Sequence, residues 1–487
     1  MSISRDLAVN TGVQVVGKIF STVLGVLIVS MMGRHLGTEG FGMYSTANAF
    51  FQFFAIILDL GLNVTLVQML GEHAGNTAYE NRVVSATFTL RFASALVLIG
   101  SAPFIGLLFP YPAELKLAIF AIWGSFFVTS LNQIVIGVHQ RHLKMHIVAL
   151  AEILGRIVLF IGVLLAVFLN WGLTMIVLIV SVGSTLNFLI NFLVARRYAS
   201  FSWNWDFKFW KEILRRSWPI GISILFSLTY FKADTLILSL VRPQTEVGLY
   251  GAAYRVLEVV VSVPFMYAGV MLPLIAKFWA AQDRPSFTRL FGRSLDAMTM
   301  LAAPLMAGTI VLATQGMVLV FGKSYAPAGG VLRLLIIATG IIFFGTISSH
   351  VIVALQVQQK MLPIYIITAL ITLAGYLFLI PRYGMWAAAW LTIFSELCVA
   401  IGSTIMSFKY SGAKWNPKDS LKALFSASLM GLVIYPFRDL PLFIPVVLGV
   451  LSYAGLLFLT GTLTKSMIRG MFYLKRGQSL PMENPLE

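Results

Sequence analysis

Residues 146–195 read HIVALAEILGRIVLFIGVLLAVFLNWGLTMIVLIVSVGSTLNFLINFLVA. Two apolar runs, 146–169 and 172–195, are separated here by only Asn170 and Trp171. A hydrocarbon core of about 30 Å is crossed by about 20 mostly apolar residues in a helix. Each run therefore predicts one transmembrane helix, and the pair predicts a hairpin that enters and leaves a bilayer.

The composition of the whole chain agrees with this hairpin. Of 487 residues, 58% are hydrophobic and 11% are charged, and the mean hydropathy is +0.87. Soluble domains have about 45–50% apolar and about 25% charged residues. This composition excludes a soluble enzyme, a disordered chain and a secreted disulfide scaffold. The single cysteine, Cys398, also excludes an intrachain disulfide and a cysteine-based metal site.

Windows of membrane-spanning length recur along the chain and predict fourteen transmembrane helices. These lie near residues 12–33, 41–65, 83–109, 116–138, 146–169, 172–195, 217–241, 247–274, 294–321, 331–356, 361–380, 384–408, 419–436 and 441–463. The first is too long for a cleavable signal peptide and has no convincing cleavage site after it. The predicted fold class is therefore all-α, a polytopic membrane protein.

The basic residues predict the orientation of these spans. With a cytoplasmic N-terminus, 24 of the 35 Lys and Arg residues fall in inside segments and 7 in outside ones. Inside loops of membrane proteins carry this excess, so we expect both termini in the cytoplasm, and a cell (inner) membrane location. The same excess accounts for most of the net charge of +16. No polar basic face is long enough for nucleic acid, which is therefore not expected as a partner.

An internal repeat predicts two lobes. Residues 38–47 (TEGFGMYSTA) are repeated with changes at 245–253 (TEVGLYGAA), and the pairs Gly42/Gly248 and Tyr44/Tyr250 are each 206 residues apart. An offset of six spans gives two halves of the same orientation, an arrangement that transporters use for alternating access. The predicted divisions are an N-terminal six-helix lobe (1–198), a cytoplasmic interfacial linker (199–216), a C-terminal six-helix lobe (217–410), two extra helices (411–465) and a cytoplasmic tail (466–487).

The linker contains an amphipathic stretch. Trp210, Ile213 and Leu214 share one helical face, opposite Lys211 and Arg215. Such a pattern is typical of a short helix lying in the membrane interface. We therefore expect a separate interfacial helix between the two lobes.

Several short motifs resemble those of Wzx-type polysaccharide flippases, in the polysaccharide transport branch of the multidrug/oligosaccharidyl-lipid/polysaccharide exporter superfamily. They are RHLGTEGFGMY at 34–44, LDLGL at 58–62, FKADTLIL at 231–238, EVGLYGAAYR at 246–255 and FGKSYAPA at 321–328. At 384–389 the chain reads GMWAAA, one glycine short of the family's Gly-x-x-Gly-Ala-Ala. The resemblance extends along nearly the whole chain, from about residue 5 to 465.

The resemblance implies a non-enzymatic function with no cofactor. The cargo would be a polyprenyl-diphosphate-linked oligosaccharide, the repeat unit of an O-antigen, capsule or exopolysaccharide. It would pass from the cytoplasmic to the outer leaflet, with H⁺ or Na⁺ as a coupling ion. Membrane lipids, and a polysaccharide polymerase with its export machinery, are the other partners that the resemblance implies.

Ionisable residues inside the predicted spans are the candidates for function. Each costs about 2.5–3.5 kcal/mol at a helix centre, so each should face protein or water. Glu152 and Arg156 are four residues apart, and Arg255 and Glu258 three, so each pair can neutralise itself on one helical face. Nine such residues lie well inside the spans, and Lys18 lies at the cytoplasmic end of the first; the nine are Asp59, Arg91, Glu152, Arg156, Lys232, Asp234, Arg255, Glu258 and Glu396.

A diphosphate needs cations, and Arg suits bidentate phosphate contacts. The predicted substrate-binding residues are therefore Lys18, Arg91, Lys232 and Arg255. A carboxylate in a low dielectric can bind a coupling ion. The predicted ion-coupling residues are Asp59, Asp234, Glu258 and Glu396. For each, an interhelical salt bridge is the structural alternative, and Asp59 could pair with Lys18 or Arg91.

Three other functions compete with the flippase. A cation-coupled multidrug exporter of the same superfamily would have a soluble cationic cargo. A membrane glycosyltransferase or polymerase would need catalytic groups, but the predicted outer loops are short and the chain has no D-x-D-type loop motif or phosphate-binding loop. A structural assembly factor is the third. The two extra spans favour the lipid cargo, since drug exporters of the superfamily usually have twelve.

Overall fold

The computed structural model describes the backbone of residues 2–59, 61–73 and 75–462, and the side chains of 17–59, 61–73, 75–218, 221 and 233–462. The described chain is helical throughout and contains no β-strand, which confirms the all-α class. The helices are α1 Ser2–Asp59, α2 Leu62–Glu72, α3 Thr77–Gly106, α4 Ala113–Arg141, α5 Met145–Phe168, α6 Leu173–Ala195, α7 Phe207–Val241, α8 Gln244–Ala280, α9 Arg284–Phe321, α10 Ala328–Ala354, α11 Leu362–Tyr383, α12 Met385–Ser411, α13 Lys418–Ile434 and α14 Phe443–Leu459.

These helices are long enough for a polytopic membrane protein. Within the described residues, 11 helical segments have the length and apolar character needed to cross a bilayer. The first, of 56 residues from Gly17 to Glu72, contains two predicted spans. Helix α14 is shorter, with 17 residues, but is strongly apolar.

The first two predicted spans are joined by a kink instead of a loop. Helix α1 contains the first span and most of the second, up to Asp59, and breaks only at Gly37, whose φ of 67° and ψ of −176° suit glycine. The Tyr325 hydroxyl donates hydrogen bonds to the carbonyl oxygens of Gly33 (3.1 Å) and Gly37 (2.8 Å). The tyrosine thereby satisfies backbone groups that the kink removes from the helical hydrogen-bond pattern.

The segment predicted as a separate interfacial helix is the first part of α7, so that prediction is wrong. Asp206 caps the helix by accepting a hydrogen bond from the Phe209 backbone N–H at 3.0 Å. Trp210 and Ile213 are 9% and 0% exposed and pack against residues of α2, α3 and α4. An amphipathic pattern shows that a helix has an apolar face, but protein can cover that face as well as lipid can.

Residues 200–204, which we call the strap, run along α3 in extended form. Serine, threonine and asparagine side chains of α3, four residues apart, bond to every second residue of the strap. The bonds are Ser200 N–H to Asn81 Oδ1 (2.8 Å), Ser85 Oγ–H to Ser200 O (2.8 Å), Ser202 N–H to Ser85 Oγ (3.2 Å) and Asn204 N–H to Thr89 Oγ1 (3.0 Å). The start of α7 is thus tied to α3.

The chain packs as two compact units. Unit 1 comprises the chain up to Arg255 with residues 317–331 and 362–395, and unit 2 comprises the remaining described residues. Because these units do not follow the order of the sequence, the lobe boundaries derived from the repeat remain a prediction. In unit 2, α13 and α14 pack on α9, and the Tyr453 hydroxyl donates to the Met300 carbonyl oxygen at 2.9 Å.

Candidate functional site

Arg91 and Asp59 form a buried salt bridge in unit 1. Arg91, on α3, is 1% exposed, and its Nη2 lies 2.6 Å from Asp59 Oδ1 at the end of α1. Its Nη1 donates to the Leu58 carbonyl oxygen at 2.7 Å. The sequence left a functional role and an interhelical salt bridge open for these two residues, and the structure shows the salt bridge. A predicted anion-binding residue and a predicted coupling residue therefore neutralise each other here.

A second charged cluster lies between α1 and α5, also in unit 1. Glu152 Oε1 is 3.3 Å from Lys18 Nζ, 3.2 Å from Arg156 Nη2 and 2.8 Å from Ser21 Oγ. The predicted Glu152–Arg156 pair is therefore present, but its carboxylate is shared with Lys18. The three ionised groups together carry one excess positive charge.

Gly25 provides the space in which Arg156 lies. A Cβ atom added to Gly25 would overlap Arg156 Nη1. Lys18, Ser21 and Gly25 are spaced three and four residues apart, so they line one face of α1. Arg156, Ser21 and Gly25 were not predicted to belong to a binding site. The spacing of Lys18, Ser21 and Gly25 along one face of α1 is the sequence signal that could have indicated them.

Asp234 is the centre of a buried polar network on α7 and α8. The residue is 1% exposed, and its carboxylate accepts hydrogen bonds from the Tyr250 hydroxyl, the Thr235 backbone N–H and the Thr235 hydroxyl. Tyr250, a residue of the sequence repeat, is 0% exposed. The side chain of Lys232 lies outside the described residues. The network joins α7 to α8 through one carboxylate.

The other predicted site residues lie on α8 and α12. Arg255 is half-buried on α8 at the end of the first part of unit 1. Glu258 and Glu396 belong to unit 2, where Glu396 is 9% exposed on α12. The structure thus brings Asp59 to Arg91 and Lys18 to Glu152. It gives Asp234 partners that the sequence analysis did not name. Within the described ranges, no three His, Cys, Asp or Glu side chains form a group that could hold a metal ion.

Unit 2 contains an apolar cavity of about 470 Å³. Side chains of α9, α10, α12 and α13 line it, among them Met306, Phe344 and Leu424. At one side, Asp296 accepts hydrogen bonds from Trp415 Nε1 (3.1 Å) and Ser420 Oγ (2.7 Å), which fixes the start of α13. Helix α13, the first of the two extra helices, therefore contributes a wall to this cavity.

The sequence matches the polysaccharide biosynthesis protein family over residues 7–279, more than half of the chain. The chain belongs to this family. A curated relative, "Probable flippase AglR" of Haloferax volcanii, is 21% identical over 468 residues, covering 92% of this chain and 94% of that protein.

Solved structures show the same fold at low identity. The lipid II flippase MurJ, in an inward closed conformation, has a TM-score of 0.77 and 16% identity, covering 96% of this chain and 99% of that chain. An inward-facing multidrug resistance MATE family transporter of the MOP superfamily has a TM-score of 0.68 and 14% identity, covering 82% of this chain and 98% of that chain. The fold is therefore a polytopic transporter fold.

Proposed function

We propose that this protein is a flippase that moves a polyprenyl-diphosphate-linked oligosaccharide from the cytoplasmic to the outer leaflet of the cell (inner) membrane. The observation that carries the proposal is the extent of the structural likeness. The lipid II flippase matches 96% of this chain, whereas the multidrug transporter matches 82%. Family membership and the full-length likeness to AglR support the same function.

The apolar cavity of unit 2 supports a lipid cargo over a soluble cationic drug. Its lining is formed almost entirely by aliphatic and aromatic side chains, and α13 contributes to it through Leu421 and Leu424. Aliphatic surface gains about 25 cal/mol per Å² when it leaves water, so such a cavity favours a hydrocarbon ligand. A hydrophilic cation would gain nothing from these walls.

Asp234 is the residue that we assign to ion coupling. Binding of H⁺ or Na⁺ to its carboxylate would change the bonds that join it to Tyr250 and Thr235. Since the bond to Tyr250 connects α7 to α8, occupancy of the carboxylate would alter the packing of two neighbouring helices. Alternating access requires a two-state element of this kind. Arg255, with Lys232, remains our proposal for binding the diphosphate during translocation.

Depletion of the protein in its host is the direct test. We expect the lipid-linked repeat unit to accumulate in the cytoplasmic leaflet and surface polysaccharide to fall. Restored expression should reverse both effects. Unchanged surface polysaccharide without accumulation would contradict the proposal.

A reconstituted assay separates the flippase from the drug exporter. Fluorescent lipid-linked oligosaccharide in proteoliposomes would be exposed to an impermeant quencher, which reports how much has crossed. Empty liposomes are the control for spontaneous crossing. Efflux of cationic dyes without movement of the lipid would instead identify the exporter. We expect partners that act before and after this step, including a polymerase and export machinery, to copurify with the protein.

A further inference from the structure

The cluster of Lys18, Glu152 and Arg156 has more cations than anions. A single carboxylate oxygen, Glu152 Oε1, lies within 3.3 Å of both basic groups. An uncompensated charge between transmembrane helices is costly because the surrounding dielectric is low. A further anion at this place would remove that cost.

The surface around the cluster is apolar. Ser21, which donates to the same oxygen, is buried, but the neighbouring side chains on both helices are exposed. These exposed neighbours are Ile19, Phe20, Val23, Val26 and Leu27 on α1, and Leu150 and Leu154 on α5. A water-filled cavity would favour polar side chains, so an apolar face of this kind suits contact with lipid hydrocarbon. The cluster lies at the edge of that face.

Arg156 lies well inside α5. It is eleven residues beyond Met145, the first residue of α5, or about 17 Å along the helix axis. Its side chain is 33% exposed and lies across α1 in the space left by Gly25. Its guanidinium is therefore held where a group entering from the bilayer can meet it.

We propose that Lys18 and Arg156 form a docking site for the phosphate of an anionic lipid that enters sideways from the bilayer. Basic pockets between transmembrane helices on the cytoplasmic side bind lipid head groups in other proteins. The guanidinium offers the bidentate geometry that phosphate accepts, and the ammonium adds a second donor. The ligand is either an anionic phospholipid or the diphosphate of a polyprenyl carrier. Only the second assignment rests on the proposed flippase function.

Glu152 holds the two cations in place when no lipid is bound. On docking, the phosphate oxygens take over donors of Lys18 and Arg156, while Ser21 keeps its bond to the Glu152 carboxylate. The carboxylate is then a competitor of the phosphate. Its removal should strengthen lipid binding, whereas a purely structural salt bridge would predict only loss of stability.

The test measures lipid retained by the purified full-length protein after delipidation. One sample is mixed with phosphatidylcholine vesicles containing phosphatidylglycerol, another with vesicles containing polyprenyl diphosphate, and a third with phosphatidylcholine alone. Mass spectrometry then counts the lipids bound. We expect retention of one or both anionic lipids over phosphatidylcholine. The double variant Lys18→Gln, Arg156→Gln should bind about tenfold less, because two charge-assisted contacts are lost. Glu152→Gln should bind severalfold more.

Matched variants make the result specific. Lys208→Gln removes one positive charge from an exposed position of α7 and should leave binding unchanged. Gly25→Ala should displace Arg156 and weaken binding. Gly124→Ala, whose new methyl group would only touch Ser181 at 3.9 Å, should not.

Equal binding of the anionic lipids and phosphatidylcholine to the native protein would overturn the proposal. So would full binding by the double variant, or equal losses in Glu152→Gln and the double variant. If the double variant does not fold, the Gly25→Ala comparison decides. Retention of phosphatidylglycerol alone supports the site and assigns it to phospholipid. This assay measures lipid binding and no transport. A negative result would therefore disprove the lipid site, while the proposed flippase function would still be tested by the proteoliposome assay.

Discussion

Gly42 and Gly248, the glycines shared by the two repeats, lie against each other in unit 1. A Cβ atom on Gly42 would overlap the Gln244 carbonyl oxygen and lie 3.0 Å from the Gly248 nitrogen. A Cβ atom on Gly248 would overlap the Thr38 carbonyl oxygen and lie 3.0 Å from the Gly42 nitrogen. Each glycine thus meets the carbonyl four residues before the other, so the contact is symmetric. Close helix crossings of this kind require residues without side chains.

Alanine at either glycine should separate the two helices. In Gly42→Ala and Gly248→Ala we expect a loss of about 1–3 kcal/mol in the free energy of unfolding, the usual cost of overpacking. The thermal unfolding of the purified protein measures it. Gly71→Ala is the matched control, since a methyl group there would meet nothing within 4 Å. Equal midpoints of thermal unfolding for Gly42→Ala, Gly248→Ala and Gly71→Ala would contradict the observed helix crossing.

Removal of Arg91 should reduce the amount of folded protein. Arg91→Leu would leave the Asp59 carboxylate without its 2.6 Å partner. Breaking a buried pair costs about 3–5 kcal/mol, and the lower end applies because the Asp59 side chain is 35% exposed. Membrane abundance and thermal midpoint check this expectation, with the exposed Arg196→Leu as the control. Normal abundance with lost transport would restore Arg91 as an anion-binding residue.

Asp234→Asn should slow translocation while protein abundance stays near normal. An amide fills the same space, and its oxygen can still accept from Thr235 while its NH₂ group donates to the Tyr250 hydroxyl, but it carries no charge and binds no proton. Tyr250→Phe keeps the carboxylate and removes one donor, so it should change the ion dependence of transport less. Collapse of abundance in Asp234→Asn would make the residue structural and end its coupling role.

The cap of α7 should show a pH dependence. Hydrogen bonds from Arg82 and from the Phe209 backbone N–H lower the pKa of Asp206 below its ordinary value. A lowered pKa means that the carboxylate stabilises the fold above about pH 4 and loses this effect as pH falls through the folded-state pKa. Asp206→Ala should therefore lower the thermal midpoint at neutral pH, and the deficit should shrink in acid. Asp439→Ala, with a side chain that is 82% exposed, is the control.

Reporter fusions test the predicted orientation. Fusions after Arg216 and Lys414 should report the cytoplasm, and fusions at Lys116 and Lys323 the outside. The expectation follows from the excess of Lys and Arg in alternate loops. One inverted reporter would disprove the arrangement of spans at that position.

The sequence predicted what depends on neighbours along the chain. The ends of α4, α5 and α6 fall within a few residues of the apolar runs, because hydropathy measures what lipid can cover. The Glu152–Arg156 pair follows from helical spacing. The sequence did not predict that Lys18, 134 residues away, shares that carboxylate. Local patterns contain no information about which distant helix packs on a given face.

The same limit explains the error at the start of α7. Trp210 and Ile213 have the periodicity of an interfacial helix, yet protein covers them. It also explains why the sequence did not identify Tyr250 and Thr235 as hydrogen-bond donors to Asp234. Neutral hydroxyl donors are common in apolar helices, so their pairing with one carboxylate is visible only in three dimensions.

The strap determines where α7 begins along α3. Two residues of extended chain advance about 6.6 Å, and four residues of helix advance about 6 Å. Because these distances are nearly equal, every second residue of the strap can bond to every fourth residue of α3, at Asn81, Ser85 and Thr89. Helix α7 begins directly after the last of these bonds. The position of the start of α7 along α3 is therefore set by these bonds. A single residue inserted in the strap would put the two spacings out of phase and move the whole of α7 along its axis.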